Sequence, residues 1–469
     1  MVVIKYIFII IFVFGLIIPV SAIGGEDKRA EKIDSLLNQF HEYSLFNGVL
    51  LAADGDEIIY HGARGKANLE WDIPNNTNTR FKIASITKAY TASLVLHLVE
   101  RDKLSLSDVI TDHLTHYPSS QGDQITIEHL LVQSAGIPDY ITEDNFLSEK
   151  AKLEHDKNEF IYHFAHKDLE FEPGSDWNYG NSGYYVLGLI VQEVTGMRYD
   201  QAMDKYILDP LGLEDTGYAA SDSVIDRLAS GYVKTPRGYE VPPHFHSSAG
   251  FSAGMMYSTA EDMFKWTRAL GEGKLIQDPY HLQNMITPQF EDYSYGLFVG
   301  EQRIGNRREL VFSHSGNING FSSQLSYFSD SDYTLIILDN TQQCTARIYF
   351  AVREVLFEEP SRHVKEPIAY LMGDKIEEAG IEAAIDYFWE LRENRRDDCD
   401  FSLHEFTRLT RYYFEREEFD IAIPLLELAI EIFPNNQRLH ERLAEAYENS
   451  GEPGQAEEIL EMMGSGEDY

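Results

Sequence analysis

Three short segments carry side chains with the types and spacing for acyl chemistry. Ser85-Ile86-Thr87-Lys88 sets a hydroxyl and an amine three residues apart. On a helix that spacing brings both to one face, and the apolar run Ala89–Leu96 predicts that a buried helix continues from them. An uncharged amine there can take the serine proton, which is what a weak hydroxyl nucleophile needs. By itself the pair reads slightly better as a capping serine beside a solvated lysine. Pro173–Tyr184 is a loop rich in Gly, amide and aromatic residues, holding Tyr179-Gly180-Asn181. In it Tyr179 can relay a proton and Asn181 can hold a substrate amide. Phe312-Ser313-His314-Ser315-Gly316-Asn317 follows a strand-like run. A strand edge beside a nucleophile can offer a backbone N–H to a developing oxyanion.

The periodicity around these segments predicts the elements that must position them. Residues 30–41 have helical spacing, with Ile33, Leu36, Leu37 and Phe40 on one face. Val49–Ala53 and Ile58–His61 read as strands joined by the turn Asp54-Gly55. Helical patterns dominate from about Ser85 to Leu208, and strand signals return at Leu310–Phe312, Ser322–Phe328 and Tyr333–Leu338. The resulting fold class is α+β: one antiparallel sheet flanked by helices, with an inserted helical lobe and a site between them. After about Pro360 strand signals vanish. Leu409, Tyr413, Ala422, Leu426 and Ala429 recur 34 residues later as Leu443, Tyr447, Ala456, Leu460 and Met463. That period and pattern resemble the tetratricopeptide repeat. Ala379–Leu391 reads as a further half-repeat, and Phe388-Trp389 as core packing. The expected division is residues 1–22 as a signal peptide, 23–360 as a hydrolase domain and 361–469 as an all-α repeat domain.

Taken in order, Ser85-x-x-Lys88, Tyr179-x-Asn181 and His314-x-Gly316 resemble the motifs of the serine β-lactamase and penicillin-binding-protein superfamily. The likeness is to the branch grouping class C β-lactamases, D-alanyl-D-alanine carboxypeptidases and related esterases. Ile125–Leu131 with Ser134–Pro138, and Gly254–Met263, agree with it. The resemblance spans about residues 30–358 and implies an acyl-enzyme mechanism without metal or organic cofactor. It implies Ser85 as nucleophile, Lys88 and Tyr179 sharing the acid–base work, and Asn181 orienting the substrate. The oxyanion hole would come from the backbone N–H groups of Ser85 and Asn317. His314 stands where the superfamily commonly has a lysine. A lysine is a fixed cation able to hold a substrate carboxylate, whereas a histidine near neutral pH is expected to be only partly charged. That favours an ester, amide or peptide substrate over a dedicated β-lactamase function.

Two rival readings compete with this one. Gly250-Phe251-Ser252-Ala253-Gly254 matches the Gly-x-Ser-x-Gly nucleophile elbow of α/β-hydrolases, with Asp292 and His314 coming after it in order. No strand precedes it, only Pro242-Pro243-His244-Phe245-His246. The other rival is a penicillin-binding sensor or scaffold that acylates without turnover and uses its repeats to bind a protein. His244-x-His246 lacks a third ligand at a metal-binding spacing, so no metal is expected.

The remaining features bound the setting. Lys5 precedes an apolar run, Tyr6–Ile18, and then Pro19 and Val20-Ser21-Ala22, the pattern of a secretory signal. Removed, or retained as an anchor that would be the sole membrane contact, it predicts an exported protein. A net charge of −38 disfavours nucleic acid. The expected partners are a small-molecule or peptide substrate and a protein at the repeats. Cys344 and Cys399 are the only cysteines, either bridged or unpaired.

Overall fold

The structure is a computed structural model that describes residues 27–343 and 345–465. The signal-peptide expectation and Cys344 lie outside the described residues, and Cys399 is buried.

Alternation along two strands shows why the sheet exists. In β1 (Gly48–Asp54), Val49, Leu51 and Ala53 join the larger apolar core. Leu50 and Ala52 point the other way, into a smaller core. β6 (Tyr333–Asp339) splits in the same manner, with Ile336 and Leu338 on one side and Leu335 and Ile337 on the other. Strands covered on both faces read as unbroken apolar runs rather than as alternation. Four more strands complete an antiparallel sheet: β2 (Glu57–Arg64), β3 (Phe298–Ile304), β4 (Arg307–Ile318) and β5 (Phe321–Phe328). Its order is β3-β4-β5-β6-β1-β2. The smaller core lies under α1 (Lys28–Glu42) and α6 (Ala346–Leu356).

The larger core joins the opposite face to the helical lobe. Its main helices are α2 (Thr87–Val99), α3 (Ser182–Thr195), α4 (Ser247–Gly254) and α5 (Ala260–Gly271). α2 is buried around nearly its whole circumference, its polar Thr87, Lys88, Thr91 and Ser93 included. α3 stops at Gly196, whose φ of 65° is the left-handed cap that glycine adopts without strain.

The C-terminal region is helical apart from one short parallel strand pair, Glu366–Pro367 with Cys399–Asp400, has its own core and contains three helix pairs among the described residues. They are α7 (Ile368–Ala379) with α8 (Ile381–Asn394), α9 (Leu403–Phe414) with α10 (Phe419–Ile432), and α11 (Gln437–Ser450) with α12 (Pro453–Ser465). The expected half-repeat is therefore a full pair. The small residues Ala422 and Ala456 are buried, as close helix approach requires, and Tyr413 and Tyr447 pack inside. Leu460 departs from its counterpart Leu426 by being 47% exposed, since no described helix covers it. Phe388 is buried, but Trp389 is not a core residue: it is 38% exposed, with Arg392 over its ring.

Candidate active site

Ser85 does not sit in the first turn of the α-helix. It lies one step earlier, in a tight 3-10 turn over Ala84–Ile86 that leads into α2. Ala84 enters that turn at φ 48°, a left-handed conformation that a residue with a Cβ holds only at a cost. The surroundings impose it. Ile83 N–H donates to Met256 O, and Ser323 Oγ–H donates to Ile83 O at 2.9 Å. β4 presses on the same turn at Gly316, where a Cβ would lie 2.3 Å from Ile83 O. Glycine is needed in this motif because strand and nucleophile turn touch backbone to backbone.

Lys88, one turn along α2, is fully buried. Its Nζ donates to Ser85 Oγ at 3.2 Å, Asn181 Oδ1 at 2.8 Å and Ala253 O at 3.0 Å. The ring of Tyr179 lies 4.9 Å from the same nitrogen. Asn181 itself is held by Asp139. Its Nδ2 donates to that carboxylate at 3.0 and 3.4 Å, and its backbone N–H donates at 3.2 Å. With the amide nitrogen so engaged, the amide oxygen must face Lys88. Burial raises the pKa of Asp139, opposed by the Asn181 N–H and the Lys88 charge.

His314 lies within β4 rather than after it, and only 2% of it is exposed. Burial, aided by the charge of Lys88, pushes its pKa down to about 3. The ring is neutral at physiological pH, which corrects the expectation of partial charge. Its Nδ1 lies 2.6 Å from Ser315 O, so that nitrogen carries the hydrogen and Nε2 is an acceptor. Tyr179 Oη donates toward Nε2 at 3.5 Å, and its ring stacks on Phe298.

Ser85, Lys88, Tyr179, Asn181 and His314 thus form one connected cluster, with Gly316 packed on the nucleophile turn. Asn317 lines the same cleft as Ser85, and Ser322 Oγ–H donates to its Oδ1 at 2.7 Å. The cleft has a volume of about 300 Å³ and apolar walls from Tyr140, Ile141, Leu147, Phe245 and Ile318. No Lys, Arg, Asp or Glu lines it among the described residues.

Ser252 is not at this site. It is fully buried inside α4, with no strand before it, and its hydroxyl donates to Tyr184 O at 2.8 Å. A hydroxyl closed off in this way cannot reach a substrate, so the elbow reading fails. His246 caps the start of α4, its Nδ1 accepting from Ser248 N–H at 3.2 Å.

Sequence reasoning missed Asp139. The available signal was an acid directly after the Ser134–Pro138 segment. It also missed the carbonyl of Ala253, which no side-chain pattern reveals.

Comparison with known proteins agrees with this geometry. The Beta-lactamase family matches residues 33–351, and a tetratricopeptide repeat family matches residues 413–465. Penicillin-binding protein 4* of Bacillus subtilis is 29% identical over 360 residues, covering 71% of this chain and 78% of its own. A penicillin-binding protein of Bacillus halodurans superposes with TM-score 0.59 at 25% identity, covering 69% of this chain and 98% of that one. A D-amino acid amidase of Ochrobactrum anthropi shares the fold, with TM-score 0.61 at 23% identity over 71% of this chain and 99% of that one. Buried serine–lysine pair, glycine-bearing strand and matched span together show that this chain belongs to the Beta-lactamase family of serine β-lactamases and penicillin-binding proteins and carries a tetratricopeptide-like repeat behind that domain.

Proposed function

We propose that the protein is a serine hydrolase that works through an acyl-enzyme on Ser85, and that it takes uncharged esters or amides rather than β-lactams as its preferred substrates. The observation that carries this is the arrangement around Lys88 Nζ. Two of its hydrogens are fixed on Asn181 Oδ1 and Ala253 O, so its remaining tetrahedral position faces Ser85 Oγ at 3.2 Å. In the ammonium form that position holds a proton. In the amine form it holds a lone pair aimed at the serine hydroxyl, the alignment that proton abstraction requires.

In this reading Ser85 Oγ attacks the carbonyl carbon while its proton passes to Lys88. The backbone N–H groups of Ser85 and Asn317 receive the developing oxyanion. Tyr179 turns its hydroxyl from neutral His314 to the departing oxygen or nitrogen and gives up its proton there, and Lys88 passes the proton it took from Ser85 to the phenolate, so both groups are restored. Asn181 orients the substrate and holds Lys88. Water next attacks the acyl carbon while Lys88 takes its proton, and that proton passes to Ser85 Oγ as the acyl C–O bond breaks, returning Ser85 and releasing the acid. The apolar cleft wall and the neutral His314 supply no cation for a substrate carboxylate, which favours substrates without a free carboxylate end. We further propose that residues 1–22 are a signal peptide and the protein is exported, that residues 23–360 are the hydrolase domain, and that 361–469 are the repeat domain. A substrate alone is required for turnover, with no cofactor.

Intact-mass spectrometry after incubation with p-nitrophenyl esters, D-amino acid amides, penicillins and a fluorophosphonate tests the reading. The expected result is acylation of wild type but not of Ser85→Ala, with steady turnover of esters or amides. A stoichiometric burst with no steady state would replace it with the sensor alternative.

A further inference from the structure

The repeat region is not free on the side that faces the hydrolase. A β-hairpin of the hydrolase, Val233–Thr235 paired with Gly238–Glu240, enters it turn first. The turn residue Arg237 donates from Nη1 and Nη2 to the two carboxylate oxygens of Glu418, the first at 2.6 Å, and from Nε to Glu377. Its guanidinium lies 5.0 Å over the ring of Tyr413, the repeat-position tyrosine of α9. The preceding Pro236 is so close to α7 that a Cβ on Gly373 would lie 2.2 Å from its carbonyl oxygen. At the other end of the hairpin, Glu240 accepts from Tyr412 Oη–H and from Arg416 Nη2, each at 2.7 Å. A planar cation held in a fork by a carboxylate over an aromatic face is a geometrically specific form of arginine recognition.

The segment after the hairpin connects this grip to the cleft. Val241-Pro242-Pro243-His244 leads from Glu240 to Phe245, which lines the cleft beside Ser85. Two prolines fix their own φ near −65° and favour an extended, stiff path of about 3.1 Å per residue. The Asn319 side chain holds the Pro243 carbonyl, and His246 N–H donates to Ala151 O at 2.8 Å. Phe245 is therefore set between two hydrolase anchors, and the far end of its connector, at Glu240, is held by the repeat helices.

We propose that the repeat region is a positioning element of the hydrolase: by gripping Arg237 and Glu240 it fixes the Pro242–Pro243 connector, and through it Phe245, the wall that sets which acyl groups enter. Phe245 is the specificity-determining residue and Arg237 a positioning residue. The socket that these repeats would offer to an arginine of another protein is filled by the chain itself. The inference rests on the hydrolase reading above for its substrate, but not for its geometry.

The test compares wild type, Arg237→Glu, the charge swap Arg237→Glu with Glu418→Arg, Phe245→Ala, and Arg237→Glu with Phe245→Ala. Each is assayed for kcat/KM on p-nitrophenyl acetate and on the p-nitrophenyl ester of a bulky aromatic acid. The expected result is a change of about fivefold in the bulky-to-acetate ratio for Arg237→Glu, toward the ratio of Phe245→Ala. The swap restores the wild-type ratio, and the double variant matches Phe245→Ala alone. A ratio unchanged within about twofold in a folded Arg237→Glu overturns the proposal. Should that variant fail to fold, Arg416→Ala, which removes the contact with Glu240 and the guanidinium over the Tyr412 ring, carries the same comparison. Hydrogen exchange at residues 244–246 needs no turnover: it is expected to quicken about tenfold in Arg237→Glu, and an unchanged rate overturns the proposal even if esters prove not to be substrates.

Discussion

Replacing His314 by glutamine isolates the energetic cost of keeping a histidine neutral inside the sheet. The ring is buried beside Lys88, and its pKa in the folded protein is about 3, against 6.5 for an unperturbed histidine. The sign comes from counting protons. As the pH falls below 6.5, the unfolded chain takes up a proton that the folded chain refuses. The native state is thus favoured in full above pH 6.5, and that advantage drains away between about 6.5 and 3 at about 1.4 kcal/mol per pH unit. Between pH 6.5 and 5 the loss from this residue is about 2 kcal/mol. Glutamine keeps a polar side chain and does not titrate, so His314→Gln lacks this loss. The assay is urea-induced unfolding of both proteins, followed by intrinsic fluorescence, from about pH 8 to 5. Other titrating groups cancel in the difference between the two curves. The expected result is that wild type loses about 2 kcal/mol more than the variant over that interval. Two curves that stay parallel would refute the placement of a neutral, desolvated ring at this point of β4.

The site sets further outcomes. Ser85→Ala is expected to lose all labelling by fluorophosphonate in intact-mass spectra, while Ser252→Ala keeps it and loses only about 1 kcal/mol of stability, the worth of its bond to Tyr184 O. Asp139→Asn frees the Asn181 amide to turn and is expected to lower kcat about 10- to 100-fold, read by stopped ester assays with a melting curve as control. An unchanged kcat would remove Asp139 from any positioning role. Gly316→Ala places a methyl 2.3 Å from Ile83 O, which forces β4 and the nucleophile turn apart. Activity should fall by about 100-fold or more, with about 1–3 kcal/mol of stability lost in chemical denaturation.

Elements whose sequences carry a strong local period are legible in advance. The runs in β1, β5 and β6, the face of α1 and, Leu460 apart, the 34-residue repeat have the burial their spacing implies. The serine, lysine, tyrosine, asparagine and histidine of the site are legible because their motifs are short and ordered. What the sequence hides has physical reasons. β3 escapes notice because Gly300, Glu301, Gln302 and Arg303 break its apolar signal, since an edge strand needs little burial to be held by β4. The tight turn at Ala84 is imposed by contacts from Gly316, Ser323 and Met256, all distant in sequence. His314 looks like an ordinary titrating histidine until its burial is known. Arg237 looks like any loop arginine, because its partners Glu377 and Glu418 lie far along the chain.

The middle of the large sheet joins residues that are far apart in the chain: Gly48 sits opposite Asp339, and Asp54 opposite Tyr333. During synthesis, β1 and β2 emerge early and can form only a two-stranded ribbon, which is marginal in water. The ribbon waits for its other neighbour until nearly the whole hydrolase has left the ribosome. Pairings of such long sequence separation form slowly, and the unpaired flank of β1 is open to the wrong strand meanwhile. The serine turn also has no backing until Gly316 arrives. A nascent or prematurely terminated chain therefore holds Ser85 and Lys88 in sequence without the backing that sets them in place, so chemical competence comes late and comes together with the finished sheet.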